Sequence, residues 1–291
     1  MVLAAFAAVV AMLAGTASAG TSAARLQHVT LIGDSVATAI EETNSAAAIV
    51  RQGVDLDLET APCRRVDDAG CPGTGGVVPP SVVELTKQMG SRLGAYVVVA
   101  VGYNDFEDHY AQNIENALDA FAAAGVKHVW WLTLRAAHHP YITMNAAIAA
   151  AAQKHPEMSV IDWNVYSRSH PDWFQADGLH LLEKGADELA TLIHRALLQD
   201  GIALPPVRVS TTSLPVAHRG KSYRVRLRAT RGLAPYTWSL LERAPAGMHL
   251  EANGLVEGTA HAKPGRYAFN VKVKDAAGSF SIRRLTLRIA P

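Results

Sequence analysis

Ala95 to Val101 reads Ala-Tyr-Val-Val-Val-Ala-Val, an apolar run without a single charge. A strand buried on both faces of a parallel sheet reads this way, and it obliges the chain to supply helices for both sides. The flanking sequence does so by alternation. Val29 to Ile32 is strand-like and runs into Gly33, and a helix is expected over 36–50. Gly53 to Thr60 alternates strictly, as a half-exposed strand near a sheet edge does. Ser81 reads as the N-cap of a helix running to about Leu93. Beyond it the chain predicts a helix over 110–124, a strand over 126–134, a helix over 142–154, a short strand over 159–163 and a closing helix over 181–199. Alternation of this kind implies right-handed crossovers and an α/β fold with a parallel sheet covered on both sides. Ligands of such sheets bind outside the carboxyl ends of the strands.

The pattern changes at Leu204-Pro205-Pro206, within a linker over 201–210. From Val207 onward the strand-like runs are 223–229, 236–241, 266–274 and 280–289, separated by turns such as Asn253-Gly254. That spacing predicts a small antiparallel β-sandwich. Residues 207–291 carry 15 Lys and Arg against 4 Asp and Glu, a net of +11, while the rest of the chain carries 12 against 22, a net of −10. The overall +1 therefore conceals a division that bears on partners rather than on fold.

Met1 to Ala19 is apolar and uncharged and ends Ala17-Ser18-Ala19, the small-x-small pattern of a signal peptide cut after Ala19. An uncleaved membrane anchor is the rival reading, although the run is short for a bilayer span. The chain is thus expected to be secreted or held at the cell surface. Cys63 and Cys71, with seven residues between them in a Gly/Pro/Asp-rich stretch, are then expected to form one disulfide. No cysteine or histidine pair has the spacing of a zinc site, so no metal and no cofactor is expected.

Three strand ends carry groups with chemistry. Gly33-Asp34-Ser35 places a serine at a tight turn and a helix N-terminus, where backbone N–H groups and the helix dipole can stabilise an oxyanion. Gly102-Tyr103-Asn104-Asp105 offers an amide donor at Asn104. Asp177-Gly178-Leu179-His180 allows a turn to bring a carboxylate to an imidazole, leaving the other ring nitrogen to take a proton from Ser35. Plainer readings exist for each: Asp34 or Ser35 caps a helix, Asn104 makes an Asx-turn, and Asp177 caps the last helix. Those readings leave unexplained why all three fall on one sheet edge.

These blocks resemble those of the SGNH/GDSL hydrolase superfamily, over about residues 27–200. The resemblance implies a flavodoxin-like three-layer α/β/α fold, a Ser35–His180–Asp177 triad, and an oxyanion hole using the Ser35 N–H and the Asn104 side chain. The family's further donor, a glycine after the second strand, is missing: the loop reads Ala61-Pro62-Cys63-Arg64-Arg65. A backbone N–H near Cys63 or Arg64 is expected in its place, with the disulfide shaping the loop. Arg64 and Arg65 are otherwise solvated cations or contacts to an anionic substrate group. His109, His138, His139 and His170 carry less weight, and Tyr103, Trp163, Trp173 and Phe174 are packing residues or an acyl or sugar subsite.

The C-terminal segments Ala234 to Leu240, Asn253 to Thr259 and Gly265 to Tyr267 are similar to the Ig-like, cadherin-like modules of bacterial surface proteins. The leading functional expectation is an exported serine esterase working through an acyl-enzyme on an acyl ester or acylated carbohydrate. The alternatives are a cell-wall sugar O-acyltransferase or deacetylase, and a non-catalytic binding protein. The basic module is expected to meet an anionic cell-wall polymer, and no nucleic acid is expected.

Overall fold

The computed structural model describes residues 25–136 and 139–291. The expected signal peptide over 1–19 lies outside the described residues. In chain order the first domain contains β1 (His28–Gly33), α1 (Ser35–Glu42), α2 (Asn44–Val50), β2 (Asp55–Thr60), α3 (Val82–Met89), β3 (Tyr96–Ala100), α4 (Glu107–Ala124), β4 (His128–Leu132), α5 (His139–Lys154), β5 (Met158–Ile161), α6 (Trp163–Ser167) and α7 (Glu183–Gln199). The strands pair in parallel in the order β2-β1-β3-β4-β5, the flavodoxin-like order, with β2 at an edge as its alternation predicts.

Because side chains alternate across a strand, each central strand feeds two cores. Leu31, Val98 and Trp130 pack against α1, α2 and α7, whereas Ile32, Val97, Val99 and Trp131 pack against α3, α4 and α5. These side chains are no more than 1 % exposed. The apolar run at 95–101 is therefore covered on both faces, which yields the three-layer α/β/α arrangement. No helix among the described residues is long and apolar enough to cross a membrane.

Several boundaries differ from expectation, each for a local reason. The helix expected over 36–50 is two helices: Thr43 is extended, and its N–H closes α1 on the Ala39 carbonyl. The helix expected to reach Leu93 stops at Met89, where Gly90 turns to positive φ and a short 3-10 turn follows. Ser81 caps it as predicted, in a capping box with Glu84. The strand expected over 159–163 ends at Ile161, because the Asp162 carboxylate accepts the Val165 N–H and starts α6.

The second domain contains β6 (Arg208–Val209), β7 (Ala217–His218), β8 (Ser222–Arg226), β9 (Ala229–Thr230), β10 (Thr237–Leu240), β11 (Met248–Leu250), β12 (Leu255–Thr259), β13 (Gly265–Lys274) and β14 (Phe280–Ala290). Sheet β10-β13-β14-β7 faces sheet β11-β12-β8 across a core that includes Trp238, Val256, Phe269, Val271 and Leu287. The predicted sandwich is present but not wholly antiparallel, since β7 pairs in parallel with the end of β14. The β11–β12 hairpin around Asn253-Gly254 was legible only as a turn.

The expected linker is shorter than 201–210, because β6 already begins at Arg208. It is also tied by hydrogen bonds to each domain. Leu204 N–H donates to the Gly53 carbonyl at 2.9 Å, and Gly232 N–H donates to the Pro205 carbonyl at 2.8 Å.

Candidate active site

The turn after β1 is built for close approach. A Cβ on Gly33 would lie 2.3 Å from that of Ala37, so no larger residue fits before α1. Asp34 is fully buried. Its carboxylate accepts the Val36 N–H at 3.0 Å, capping α1, and the Gly102 and Tyr103 N–H groups at 3.1 Å each. One side chain thus ties the β1 turn to the β3 loop. Burial pushes its pKa up to about 6, against the downward pull of those three N–H groups and the His180 charge. The sequence reading foresaw Asp34 only as a cap and missed this bridge.

Ser35 opens α1 and is half-buried. Its Oγ lies 3.1 Å from His180 Nε2, and His180 Nδ1 lies 2.7 Å from Asp177 Oδ2. The other carboxylate oxygen of Asp177 accepts the Leu179 and His180 N–H groups at 2.9 and 3.0 Å. The hydrogen bond from the His180 ring, helped by those two N–H groups, holds the Asp177 carboxyl down at about 2. Asp177 is therefore ionised at any pH at which the imidazole is useful, and it fixes the ring with Nε2 toward the hydroxyl. Serine, histidine and aspartate, separate in the chain, form one unbroken hydrogen-bond line.

The Asp177–His180 turn has its own support. Gly178 takes φ +67°, and its carbonyl accepts a 2.6 Å hydrogen bond from Arg135 Nη1. The Arg135 guanidinium lies 4.1 Å over the Phe174 ring. The Arg135 N–H donates to the Tyr103 hydroxyl at 2.7 Å, which joins the β4 and β3 loops. Arg135 has no motif around it, and only its position just beyond a strand end could have drawn attention.

Asn104 is half-buried beside the loop that follows β2. Its Nδ2 lies 3.4 Å from the Arg64 carbonyl, which leaves the second amide N–H for another acceptor. Its own carbonyl accepts Arg65 Nε at 2.7 Å. Asp105 accepts the Val66 N–H at 3.0 Å, and burial raises its pKa to about 7. Asn113 donates to Asp68, and Asn116 to Asp67. The Cys63–Cys71 disulfide closes this loop, so the bridged loop and the Asn104 loop are fastened along their length.

Arg64 is not the backbone oxyanion donor expected from the sequence: its N–H turns to the Ala61 carbonyl at 3.4 Å. Its guanidinium is not a solvated cation either. It is buried, donating from Nη1 to the Glu59 carbonyl. Cys63, in contrast, holds φ +65°, the conformation a glycine would take at this place. Neither the Cys63 nor the Ser35 N–H has an acceptor among the described residues.

The aromatics resolve toward packing. Trp163, Trp173 and Phe174 are buried together, with Trp163 and Trp173 stacked at 6.0 Å, so they form no subsite. His170 stacks on Trp173, and His109 lies against Asp68. His138 lies outside the described residues. The donor group with metal-like geometry, His249, Glu251 and Glu257, is on the second domain, where Arg224 already sits 3.6 Å from Glu257.

Residues 205–290 match the family described as "Putative Ig domain". Over 158 residues, 54 % of this chain, the sequence is 24 % identical to the "Putative peptidoglycan O-acetyltransferase YrhL" of Bacillus subtilis strain 168. The chain spans about a quarter of the length of the curated relatives it matches (24 % and 25 %). Among solved structures it is similar to the C-terminal catalytic domain of Streptococcus pneumoniae peptidoglycan O-acetyltransferase A, with TM-score 0.46, 19 % identity, and coverage of 61 % of this chain and 96 % of that one. It is likewise similar to a family 3 carbohydrate esterase of Clostridium thermocellum, with TM-score 0.48, 14 % identity, and coverage of 60 % and 97 %.

Proposed function

We propose that this chain is an extracytoplasmic serine acyl hydrolase that removes short acyl groups, acetyl foremost, from a cell-wall carbohydrate. The observation that carries the reading is the Ser35–His180–Asp177 line, with Oγ to Nε2 at 3.1 Å and Nδ1 to carboxylate at 2.7 Å. Ser35 Oγ attacks the ester carbonyl carbon while its proton passes to His180 Nε2. The tetrahedral oxyanion lies against the N–H groups of Ser35 and Cys63 and the free amide N–H of Asn104. Collapse breaks the bond to the alcohol, which leaves with the proton held by His180. Water then gives a proton to the same nitrogen, attacks the acyl-serine, and releases the acid as Ser35 regains its hydrogen.

The names of the relatives support a wall carbohydrate as substrate, and the disulfide fits an oxidising compartment. Transfer to a sugar hydroxyl is the second reading, on the strength of those names. It requires water to be kept from the acyl-enzyme, and here the His180 and Asp177 side chains are 39 % and 46 % exposed, which favours hydrolysis.

The test is turnover of a chromogenic acetyl ester and of O-acetylated glycan by the native protein and by Ser35→Ala. Acetate release should vanish in the variant at unchanged thermal stability. Equal rates would refute the reading. Acetyl appearing on an added sugar instead of in solution would favour transfer.

A further inference from the structure

Side chains on β13 and β14 alternate, and Phe269, Val271, Val273, Leu285, Leu287 and Ile289 fill the core. The outward face of the same two strands therefore takes Arg266, Lys272, Lys274, Arg284 and Arg288. The register sets Arg266 directly across from Arg288, and Arg284 across from Asn270. No carboxylate forms an ion pair with any of these five among the described residues. Glu242 accepts the N–H and the side-chain amide of Asn270 and feels the Arg284 charge without forming an ion pair with it.

The other sheet of the sandwich behaves differently. There Arg224 meets Glu257 at 3.6 Å and His249 meets Glu251 at 3.1 Å, so its outward charges find partners. Like charges directly opposite each other on a sheet are destabilising. One face of this small domain tolerates that cost while its opposite face avoids it.

We propose that the outward face of β13 and β14 is the binding site for a linear polyol-phosphate polymer. Three of its five cations are arginines, whose planar fork holds phosphate through paired hydrogen bonds. Successive outward side chains on a strand recur at about 7 Å, and the neighbouring strand lies about 5 Å away. The Arg266–Arg288 pair stands at one end of the face and Arg284, Lys272 and Lys274 toward the other, with Ala268 and Thr286 between, so a flexible chain can lay successive charges on two groups of donors. A nucleic acid fits less well, because single strands bind through stacked aromatic platforms. The face has one exposed aromatic, Phe280, and Lys272 Nζ already covers it at 4.4 Å. The site stands on the second domain alone and does not depend on the catalytic reading.

The experiment uses the full chain with purified polyglycerol phosphate in titration calorimetry, at about 50 and about 200 mM salt. Arg266→Gln/Arg288→Gln should weaken binding by about tenfold or more and flatten its salt dependence. The opposite-face variant Arg224→Gln/Arg226→Gln should bind within about twofold of the native chain. Ester turnover and the unfolding temperature report that each variant is folded. Should the first variant fail that check, Lys272→Gln/Lys274→Gln takes its place. Equal losses on the two faces, or no binding by the native protein, would overturn the site. Equal affinity for a polyuronate, or tighter binding of single-stranded DNA, would overturn the polymer assigned to it. Sedimentation showing that the native chain self-associates, and that the first variant does not, would give the face to a second copy's acidic domain instead.

Discussion

Arg135 Nη1 reaches across from the β4 loop to the carbonyl of Gly178 at 2.6 Å, in the middle of the turn that presents Asp177 and His180. The guanidinium is held from the other side by the Phe174 ring, so the turn is clamped rather than merely contacted. Misplacing a reacting group by about 1 Å can cost on the order of a hundredfold in rate. Arg135→Ala is therefore expected to lower kcat by roughly ten- to a hundredfold with KM little changed. Arg135→Lys, which keeps the charge but loses the planar stack, should recover only part of it. The kcat/KM pH profile should change on its basic-group limb, because the hydrogen bond between Asp177 and His180 loosens. A fall confined to stability would make Arg135 a packing residue only.

Asp34 and Asp105 set an unusual pH dependence of stability. Burial raises both, to about 6 and about 7, above the 3.8 of a free aspartate. Between those values the folded state binds more protons than the unfolded one, so stability falls as pH rises. For Asp34 the full effect is on the order of 3 kcal/mol. Asp177 acts in the opposite sense, since its lowered carboxyl contributes stability above pH 3.8 that is lost only as pH falls toward 2. His128 and His194, lowered by burial, act in the opposite sense over this range, so the climb in unfolding temperature as pH is lowered from about 7.5 to about 5 should be shallower than the two aspartates alone would give, with a turn-down in stronger acid. In Asp34→Asn the climb should shrink, and a buried amide facing three N–H donors should cost about 2–3 kcal/mol at neutral pH. A native unfolding temperature that rises between pH 5 and 7 would contradict this.

Much of the fold was legible because two periodicities sort this chain cleanly. The run at 95–101 demanded cover on both faces, and the short runs after Val207 demanded a sandwich. The strand-end motifs at Ser35, Asn104 and His180 followed from the same sheet edge. What escaped was set by tertiary contacts of single residues. Trp163 looks like the end of a strand until Asp162 is seen capping a helix. Arg135 looks like any loop arginine, and Arg64 looks solvent-bound although it is buried. Asp34 reads as a local cap, since nothing in a tripeptide announces acceptors for N–H groups 68 and 69 residues away.

The Cys63–Cys71 bridge is expected to matter more for rate than for stability. Closing so short a loop stabilises a fold by roughly 2–3 kcal/mol. The same loop, however, carries the left-handed Cys63 and holds the Asn104 carbonyl through Arg65. Cys63→Ser/Cys71→Ser should lower kcat by about tenfold to a hundredfold, because an oxyanion donor loses its place. Cys63→Gly/Cys71→Ser should be the more active of the two, since glycine takes φ +65° without the roughly 1 kcal/mol penalty of a side chain. Mild reductant should slow the native enzyme and leave the double variants unaffected. Equal activity in the two variants would remove Cys63 from the oxyanion site.

Gly53 and Gly201 separate the strain of a left-handed residue from the cost of breaking the domain junction. Both have positive φ, +70° and +72°. A Cβ on Gly201 would meet open space, so Gly201→Ala should cost about 1 kcal/mol from conformation alone. On Gly53 the added carbon would lie 2.3 Å from the Leu204 oxygen and 2.8 Å from its nitrogen, both backbone atoms that cannot turn aside. Gly53→Ala must therefore displace Leu204 and with it Pro205, whose carbonyl accepts the Gly232 N–H, losing the 2.9 Å bond as well. Its penalty is expected to exceed that of Gly201→Ala by about 1–3 kcal/mol in urea unfolding, with earlier proteolysis at the linker. Matching penalties would mean that Leu204 yields freely and that the two domains are merely strung together.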